Sequence, residues 1–364
     1  MKKIYTTILL LLILSGFSQL PAGYYNNATG TGYALKTQLK TIISAGYIDL
    51  TYAGLWTTYQ TSDRDFGFAT GAGYENDNSI YDMYSENPTG STNECNFIFG
   101  TDQDQGTGGT AECQFYNREH IIPQAIFNQV SPQRNDAHFI PPTDKKVNNV
   151  RADNPHGNVA VASSTSNNGG KLGTSAVAGF TGVVFEPNSA FKGDIARMYF
   201  YFVTRYESNL PSYTYEMFNG TTTQSFTTPF LNMLLQWNAQ DPVSEFEIKR
   251  NNAIYARQNN RNPYIDNNSY VSTIWGSTFA SDSFSLNANI NIFPNPTNGN
   301  KVTIQSDINL DIIELINING QVIERIEKPV FENNSFELNN LQTGFYFVKL
   351  SADNQSTTKK LIVN

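Results

Sequence analysis

The stretch Asn117-Arg118-Glu119-His120-Ile121-Ile122-Pro123-Gln124 decides how this chain is read, together with Asn135-Asp136-Ala137-His138 and Val147-Asn148-Asn149-Val150-Arg151 after it. All three histidines of the 364 residues, His120, His138 and His156, fall in this one region. Gln114 to Ile122 reads as a strand stopped by Pro123. Phe139-Ile140 reads as a second strand, halted by Pro141-Pro142. Thr143 or Asp144 can then cap a short helix carrying Val147, Asn148 and Val150. If these pieces fold together, the end of the first strand meets the face of the helix.

That convergence has a chemical meaning. A neutral imidazole, with an ordinary pKa of about 6.5, can take a proton from water at neutral pH. A carboxylate and an amide oxygen are hard donors that suit Mg²⁺ or Ca²⁺ better than zinc. A cation held by only two such ligands keeps positions open for water and a phosphate oxygen, which are the parts needed for phosphodiester hydrolysis. One geometric demand follows. Neighbouring residues on a regular strand face opposite ways, so Glu119 and His120 can share a site only where the strand ends or bulges.

Working outward, the N-terminus fixes the compartment. Lys2 and Lys3 precede the apolar run Ile8 to Ile13, and Gly16-Phe17-Ser18 supplies small residues for cleavage after Ser18. The run is shorter than the roughly 20 residues a membrane span requires, so no stable membrane insertion is expected. In an oxidising compartment Cys95 and Cys113, the only cysteines, are expected to pair, with two free buried thiols as the alternative. The net charge of −8 argues against tight general binding of a polyanion. From Arg118 to Arg151, however, five basic residues face three acidic ones, which allows a locally basic cleft.

Leu35, Leu39, Ile42 and Ile43 recur at helical spacing, as do Ile195, Met198, Tyr199, Phe202 and Tyr206, a stripe read as core. Ser244 with Glu247 forms a candidate capping box. Asp63 to Gly109 reads as loops and short strands, and Ser163 to Gly173, small and polar, as a surface loop. After a linker-like stretch from Ser277 come short alternating segments: Val302-Ile304, Ile312 to Ile318, Gln321 to Ile323, Phe345 to Leu350 and Leu361 to Val363. Asn319-Gly320 is a hairpin turn signal among them. These segments predict a small all-β sandwich.

The tail resembles the type A sorting domain of the type IX secretion system. It carries Phe293-Pro294-Asn295-Pro296, Ile318-Asn319-Gly320-Gln321, Leu341-Gln342-Thr343-Gly344-Phe345-Tyr346 and Lys359-Lys360-Leu361-Ile362-Val363. This implies export by that machinery to the medium or cell surface. The body resembles the endonuclease I family of secreted bacterial nucleases, through the Arg118 to Arg151 region, Gly193-Asp194-Ile195-Ala196-Arg197-Met198-Tyr199-Phe200, Trp237-Asn238, Asp241-Pro242-Val243 and Asn262-Pro263-Tyr264-Ile265-Asp266.

The second resemblance implies an α+β fold built on a ββα-metal (His-Me) finger with added helices and loops. It gives His120 as general base, Glu119 and Asn148 as ligands of one Mg²⁺ (Ca²⁺ or Mn²⁺ as alternatives), and Arg134 and Arg151 as phosphate contacts. His138 and Asp136 are expected to be structural, Lys145 and Lys146 a solvated face. His156 stands where the family more often has an aromatic residue and is expected in a loop. The expected organisation is a signal peptide at 1–18, a nuclease domain at 19–276, a linker at 277–289 and a sorting domain at 290–364. The expected activity is that of a monomeric, sequence-indifferent endonuclease acting on DNA, with RNA as a further substrate. A non-catalytic surface adhesin and a small-substrate phosphodiesterase are the competing readings, separable by a nicking assay and by competition with plasmid DNA.

Overall fold

A computed structural model describes residues 20–69, 74–88, 95–276, 290–318, 320–352 and 355–364. The expected signal peptide and linker lie outside the described residues. Two compact units result, Met1–Ile274 and Trp275–Asn364. Among the described residues no helix is long and apolar enough to cross a membrane.

The first unit opens with α1 (Gly32–Ser44), which buries Leu35, Leu39 and Ile43 as their spacing predicts, and α2 (Thr51–Ser62), which buries Leu55 and Tyr59. The described residues between Asp63 and Gly109 lie mostly in loops. The disulfide Cys95–Cys113 closes part of it. Two short strands follow, β1 (Tyr116–Arg118) and β2 (Pro142–Asp144), antiparallel with Asn117 opposite Thr143. Both are displaced from the expected positions. β1 ends at Arg118 rather than running to Ile122. Phe139 belongs to a 3₁₀ turn, and the second strand begins at Pro142 instead of stopping before it. A proline can stand there because a strand edge needs no donor from it. The neighbouring Pro141 still accepts the Glu119 N–H through its carbonyl (2.9 Å).

Asp144 then caps α3 (Lys145–Arg151), its carboxylate accepting the Val147 N–H. The stretch expected as a loop at 163–173 instead forms a hairpin, β3 (Val159–Thr165) with β4 (Lys171–Ser175), extended by β5 (Val183–Glu186). Its small residues are what the packing requires: a Cβ on Gly173 would lie 2.1 Å from the Val161 carbonyl oxygen. The polar composition hid this strand pair.

The core is organised by α4 (Lys192–Arg205), in which every residue from Gly193 to Thr204 is buried. A helix apolar or paired on all faces is one surrounded by structure. It packs on α1, on α5 (Thr228–Gln240) and on α7 (Pro263–Asp266), while α6 (Glu245–Gln258) lies against α2. The capping box at Ser244 and Glu247 starts α6 as expected. Arg197, buried in α4, reaches Glu247 with an Nη2–Oε2 bond of 2.7 Å, so the cap residue also anchors the core helix.

The second unit holds β6 (Ile290–Phe293), β7 (Val302–Ser306), β8 (Ile312–Asn317), β9 (Val322–Glu327), β10 (Ser335–Leu338), β11 (Gly344–Ala352) and β12 (Gln355–Val363). They form sheets ordered β10-β7-β6 and β12-β11-β8-β9. Ile290 and Ile304 of one and Ile313, Val348 and Leu361 of the other share a single apolar core, the expected sandwich. Asn319 of the anticipated turn lies outside the described residues; Gly320 takes the left-handed φ of 80° and donates to the Asn317 carbonyl.

Asp144 ties three elements together. Its Oδ1 caps α3 at Val147 N (3.0 Å) and its Oδ2 accepts from Cys113 N (2.7 Å). Asp144→Ala should therefore cost more than an exposed cap, about 2–3 kcal/mol, because two amides lose their acceptor. The urea midpoint measures this; a loss below about 0.5 kcal/mol would mean that water replaces the carboxylate.

Candidate active site

Glu119 and His120 lie just past the end of β1, where their side chains meet different neighbours. Asn117 and Glu119 turn toward α3, whereas Arg118 and His120 turn toward α2. On the α3 side, Asn148 Nδ2 donates to Asn117 Oδ1 (2.8 Å), while the Asn148 side-chain oxygen Oδ1 has no hydrogen-bond partner among the described residues. Glu119 is 2% exposed, and its Oε1 accepts from the Tyr84 hydroxyl (2.8 Å) and from Arg151 Nη1 (2.9 Å). Its Oε2 has no hydrogen-bond partner among the described residues. Burial pushes the Glu119 carboxyl above its ordinary range, against the pull of Arg151 and Tyr84. One carboxylate oxygen and one amide oxygen are therefore left without a donor. Such a hard oxygen pair fits Mg²⁺, Mn²⁺ or Ca²⁺. Among the described residues no cluster of three or more His, Cys, Asp or Glu side chains could hold a metal ion.

Arg151, expected on a phosphate, is placed otherwise. It is 1% exposed, and besides Glu119 it donates to the carbonyls of His120 (2.9 Å), Ile121 (2.8 Å) and Asn154 (2.9 Å). In this geometry it holds the Glu119–Ile121 backbone against α3 and presents no free surface to a substrate.

On the α2 side, His120 is 6% exposed and stacks on Tyr52 with ring centroids 5.8 Å apart. Its Nε2 lies 3.3 Å from the Arg134 carbonyl oxygen. A carbonyl only accepts, so Nε2 carries the proton and Nδ1 of the neutral ring holds the lone pair. Burial lowers the His120 pKa to about 3, with Arg118, Arg134 and Arg151 adding to the effect and the Arg134 carbonyl opposing it. The neutral form of the ring is the favoured one at neutral pH.

The Tyr52 ring also carries two guanidinium groups, Arg118 at 3.5 Å and Arg134 at 4.5 Å from its centroid; Arg118 lies over Trp56 as well, at 4.3 Å. Arg118 donates to the Tyr52 carbonyl, but the Nε of each arginine is buried without a partner. Two like charges gathered on one aromatic ring beside a histidine make a place for an anion.

His138 is structural as expected, donating from Nε2 to the Asn260 carbonyl (2.9 Å), and burial lowers its pKa to about 4. Asp136 accepts from Tyr201, Tyr206 and Gln258 and caps the turn at His138. Lys145 pairs with Asp104 (2.7 Å). His156 departs from expectation: it is fully buried, 2.8 Å from the Tyr84 hydroxyl and 2.9 Å from the Tyr199 hydroxyl. Sequence reasoning missed Tyr84, Tyr52 and Trp56 and counted Arg118 only as local charge. No motif marks the three aromatics, since each reaches the site from another part of the chain.

A family model described as Endonuclease I matches residues 31–269, and one described as a secretion system C-terminal sorting domain matches residues 291–364. An extracellular ribonuclease of Bacillus amyloliquefaciens is 32% identical over 260 residues, covering 69% of this chain and 78% of its own. An extracellular ribonuclease of Bacillus subtilis strain 168 is 32% identical over 261 residues with the same coverage. Among solved structures, PorZ, a surface component of the type IX secretion system of Porphyromonas gingivalis, is 18% identical over 23% of this chain and 12% of its own, with a TM-score of 0.19, too slight a likeness to bear on the fold.

All three histidines are held below their ordinary value, His156 by burial and then Arg151. Unfolding frees each to protonate at about 6.5, so their contribution to stability is complete above that pH and is lost as pH falls toward each folded value. Their ring proton resonances should therefore not titrate from about pH 8 to about pH 5 in the folded chain. A midpoint near 6.5 for any of them would place that ring in solvent instead.

Proposed function

The chain belongs to the endonuclease I family and ends in a secretion-system sorting domain, which makes it a secreted or surface nuclease; from that premise we propose that it hydrolyses phosphodiester bonds of DNA and RNA without regard to sequence, with His120 as general base and one divalent cation at Glu119 and Asn148. Export is through a type IX machinery that reads the tail. The single observation carrying the chemistry is the Nε2–H bond from His120 to the Arg134 carbonyl, which leaves Nδ1 as a proton acceptor next to a cationic surface. RNA stands beside DNA as substrate because both Bacillus relatives bear the name ribonuclease.

The mechanism follows from what these side chains can do. Arg134 and Arg118, spread over Tyr52, bind the phosphates, which are the same at every step of the backbone and so give no sequence preference. An arriving phosphate offsets the guanidinium charge near His120. That removes the part of its pKa depression due to Arg118 and Arg134 when the base is needed. His120 Nδ1 then takes a proton from the attacking water, while the Nε2–H bond fixes the plane of the ring. A divalent cation, when bound, neutralises charge on the phosphate and the leaving oxygen. Glu119 and Asn148, fixed by Arg151 and Asn117, are the residues that would hold it. The β1–β2–α3 unit is the ββα finger of this reading.

His120→Ala should lower turnover on plasmid and on structured RNA by about 10²–10⁴-fold while Mn²⁺ binding persists. Near-normal activity in that variant, or full wild-type activity after exhaustive chelation, would sink the mechanism. Arg134→Ala in the inactive His120→Ala background should weaken binding to unrelated duplexes alike and flatten its salt dependence by about one phosphate equivalent. A loss confined to one duplex would show readout of bases.

A further inference from the structure

Behind Glu119 lies a buried file of hydrogen-bonding groups that the proposed mechanism does not use. Tyr84, His156 and Tyr199 are each buried, and no charged group among them faces solvent. Tyr84 Oη is 2.8 Å from Glu119 Oε1 and 2.8 Å from His156 Nε2. His156 Nδ1 is 2.9 Å from Tyr199 Oη, and Tyr199 Oη is 3.5 Å from Tyr215 Oη.

Counting protons orients the file from His156 to Glu119. A carboxylate only accepts, so Tyr84 spends its one proton on Glu119 and must accept from His156. His156 therefore carries its proton on Nε2. The ring is neutral, because burial and then Arg151 hold its pKa well below the ordinary value. Nδ1 is left as an acceptor, with Tyr199 Oη at 2.9 Å and Arg151 Nη2 at 3.5 Å on it. The Ile121 carbonyl, with two lone pairs, accepts from both the Tyr199 hydroxyl (3.1 Å) and Arg151 Nη2 (2.8 Å). From His156 through Tyr84 the two bonds run in one direction, toward Glu119 Oε1, and each polarises the next.

We propose that Tyr84 and His156 are positioning residues that hold the Glu119 carboxylate with Oε1 fixed and Oε2 presented to the divalent cation, His156 acting as its Nε2–H tautomer. The arrangement has a physical logic. Arg151 alone would leave the carboxylate free to swing about a single contact, whereas a second donor on the same oxygen fixes its plane. A hydroxyl can be that second donor without adding charge to a closed site. It needs a donor behind it to keep its own proton aimed forward, which is the place of His156. The functional signal in His156 is thus its second nitrogen, which an aromatic carbon ring would lack.

This inference rests on the proposed role of Glu119 in metal binding, and the test separates the two. Mn²⁺ affinity of the full chain is measured calorimetrically without substrate, beside the apparent metal constant and kcat at saturating Mn²⁺. Tyr84→Phe removes one hydroxyl and should weaken Mn²⁺ binding about 10–100-fold, with kcat restored at saturating metal. His156→Leu should do the same. His156→Gln, which offers an amide N–H from a similar distance, should recover most of the affinity. A merely structural role would lower the melting temperature in chelator for both His156 variants without that difference in affinity. If Tyr84→Phe does not fold, the Leu and Gln pair decides the question alone. Tyr84→Phe or His156→Leu binding Mn²⁺ within twofold of the natural chain, while Glu119→Ala binds none, overturns the positioning role and leaves the metal reading standing. No Mn²⁺ binding by the natural chain overturns both.

Discussion

The guanidinium of Arg151, closed off from water, divides its N–H groups among one carboxylate and the carbonyls of His120, Ile121 and Asn154. Burial by itself would lower its pKa, but Glu119, followed by Tyr215, Tyr84 and Tyr199, outweighs it and holds the group charged. The chain between Glu119 and Ile121 has left the regular ladder of β1, so its carbonyls have no full set of strand partners. Arg151 supplies the missing donors from α3. Removing it would take a donor from a buried carboxylate and from three carbonyls, a loss of about 3–5 kcal/mol for a broken buried pair. The interaction is therefore a joint: it fixes the backbone that carries Glu119 and His120 to the helix that carries Asn148.

From that joint the two faces of one short segment become two chemical environments. On the α3 face everything is arranged around a carboxylate, with Arg151 and the Tyr84 file as donors and Asn148 turned by Asn117. On the α2 face everything is arranged around an aromatic ring, with Tyr52 bearing His120, Arg118 and Arg134. The first environment suits a cation and the second an anion. A phosphodiester held by a metal needs both within one residue's reach. Ending the strand at Arg118 lets adjacent side chains serve them without a strained backbone.

Much of the fold could be read from the sequence because its signals are local. The stripes of α1 and α4, the capping box at Ser244 and the alternating tail are set by neighbours within a few residues, where periodicity and capping act. Proline misled at Pro141-Pro142, because an edge position in a two-stranded pair needs no amide, and small polar residues hid the hairpin of β3 and β4. The α4 helix is buried along its length from Gly193 to Thr204. Its buried Arg197 is met by Glu247 from a helix far along the chain.

The sequence by itself nominated His120 as candidate base and Glu119 and Asn148 as oxygen donors, through the likeness of the Arg118 to Arg151 region to the endonuclease I family. It also determined the compartment and the β tail. Only the tertiary structure decided which nitrogen of His120 is free, that Arg151 clamps rather than grips, that Tyr52 gathers two arginines, and that His156 backs Tyr84 behind Glu119. Each of those depends on a contact between segments distant in sequence, such as the 35 residues between Tyr84 and Glu119 or the 72 between Tyr84 and His156. Residue type and spacing constrain what lies a turn or a strand pair away. What a buried hydroxyl or guanidinium meets across the core is fixed by packing, which no local pattern records.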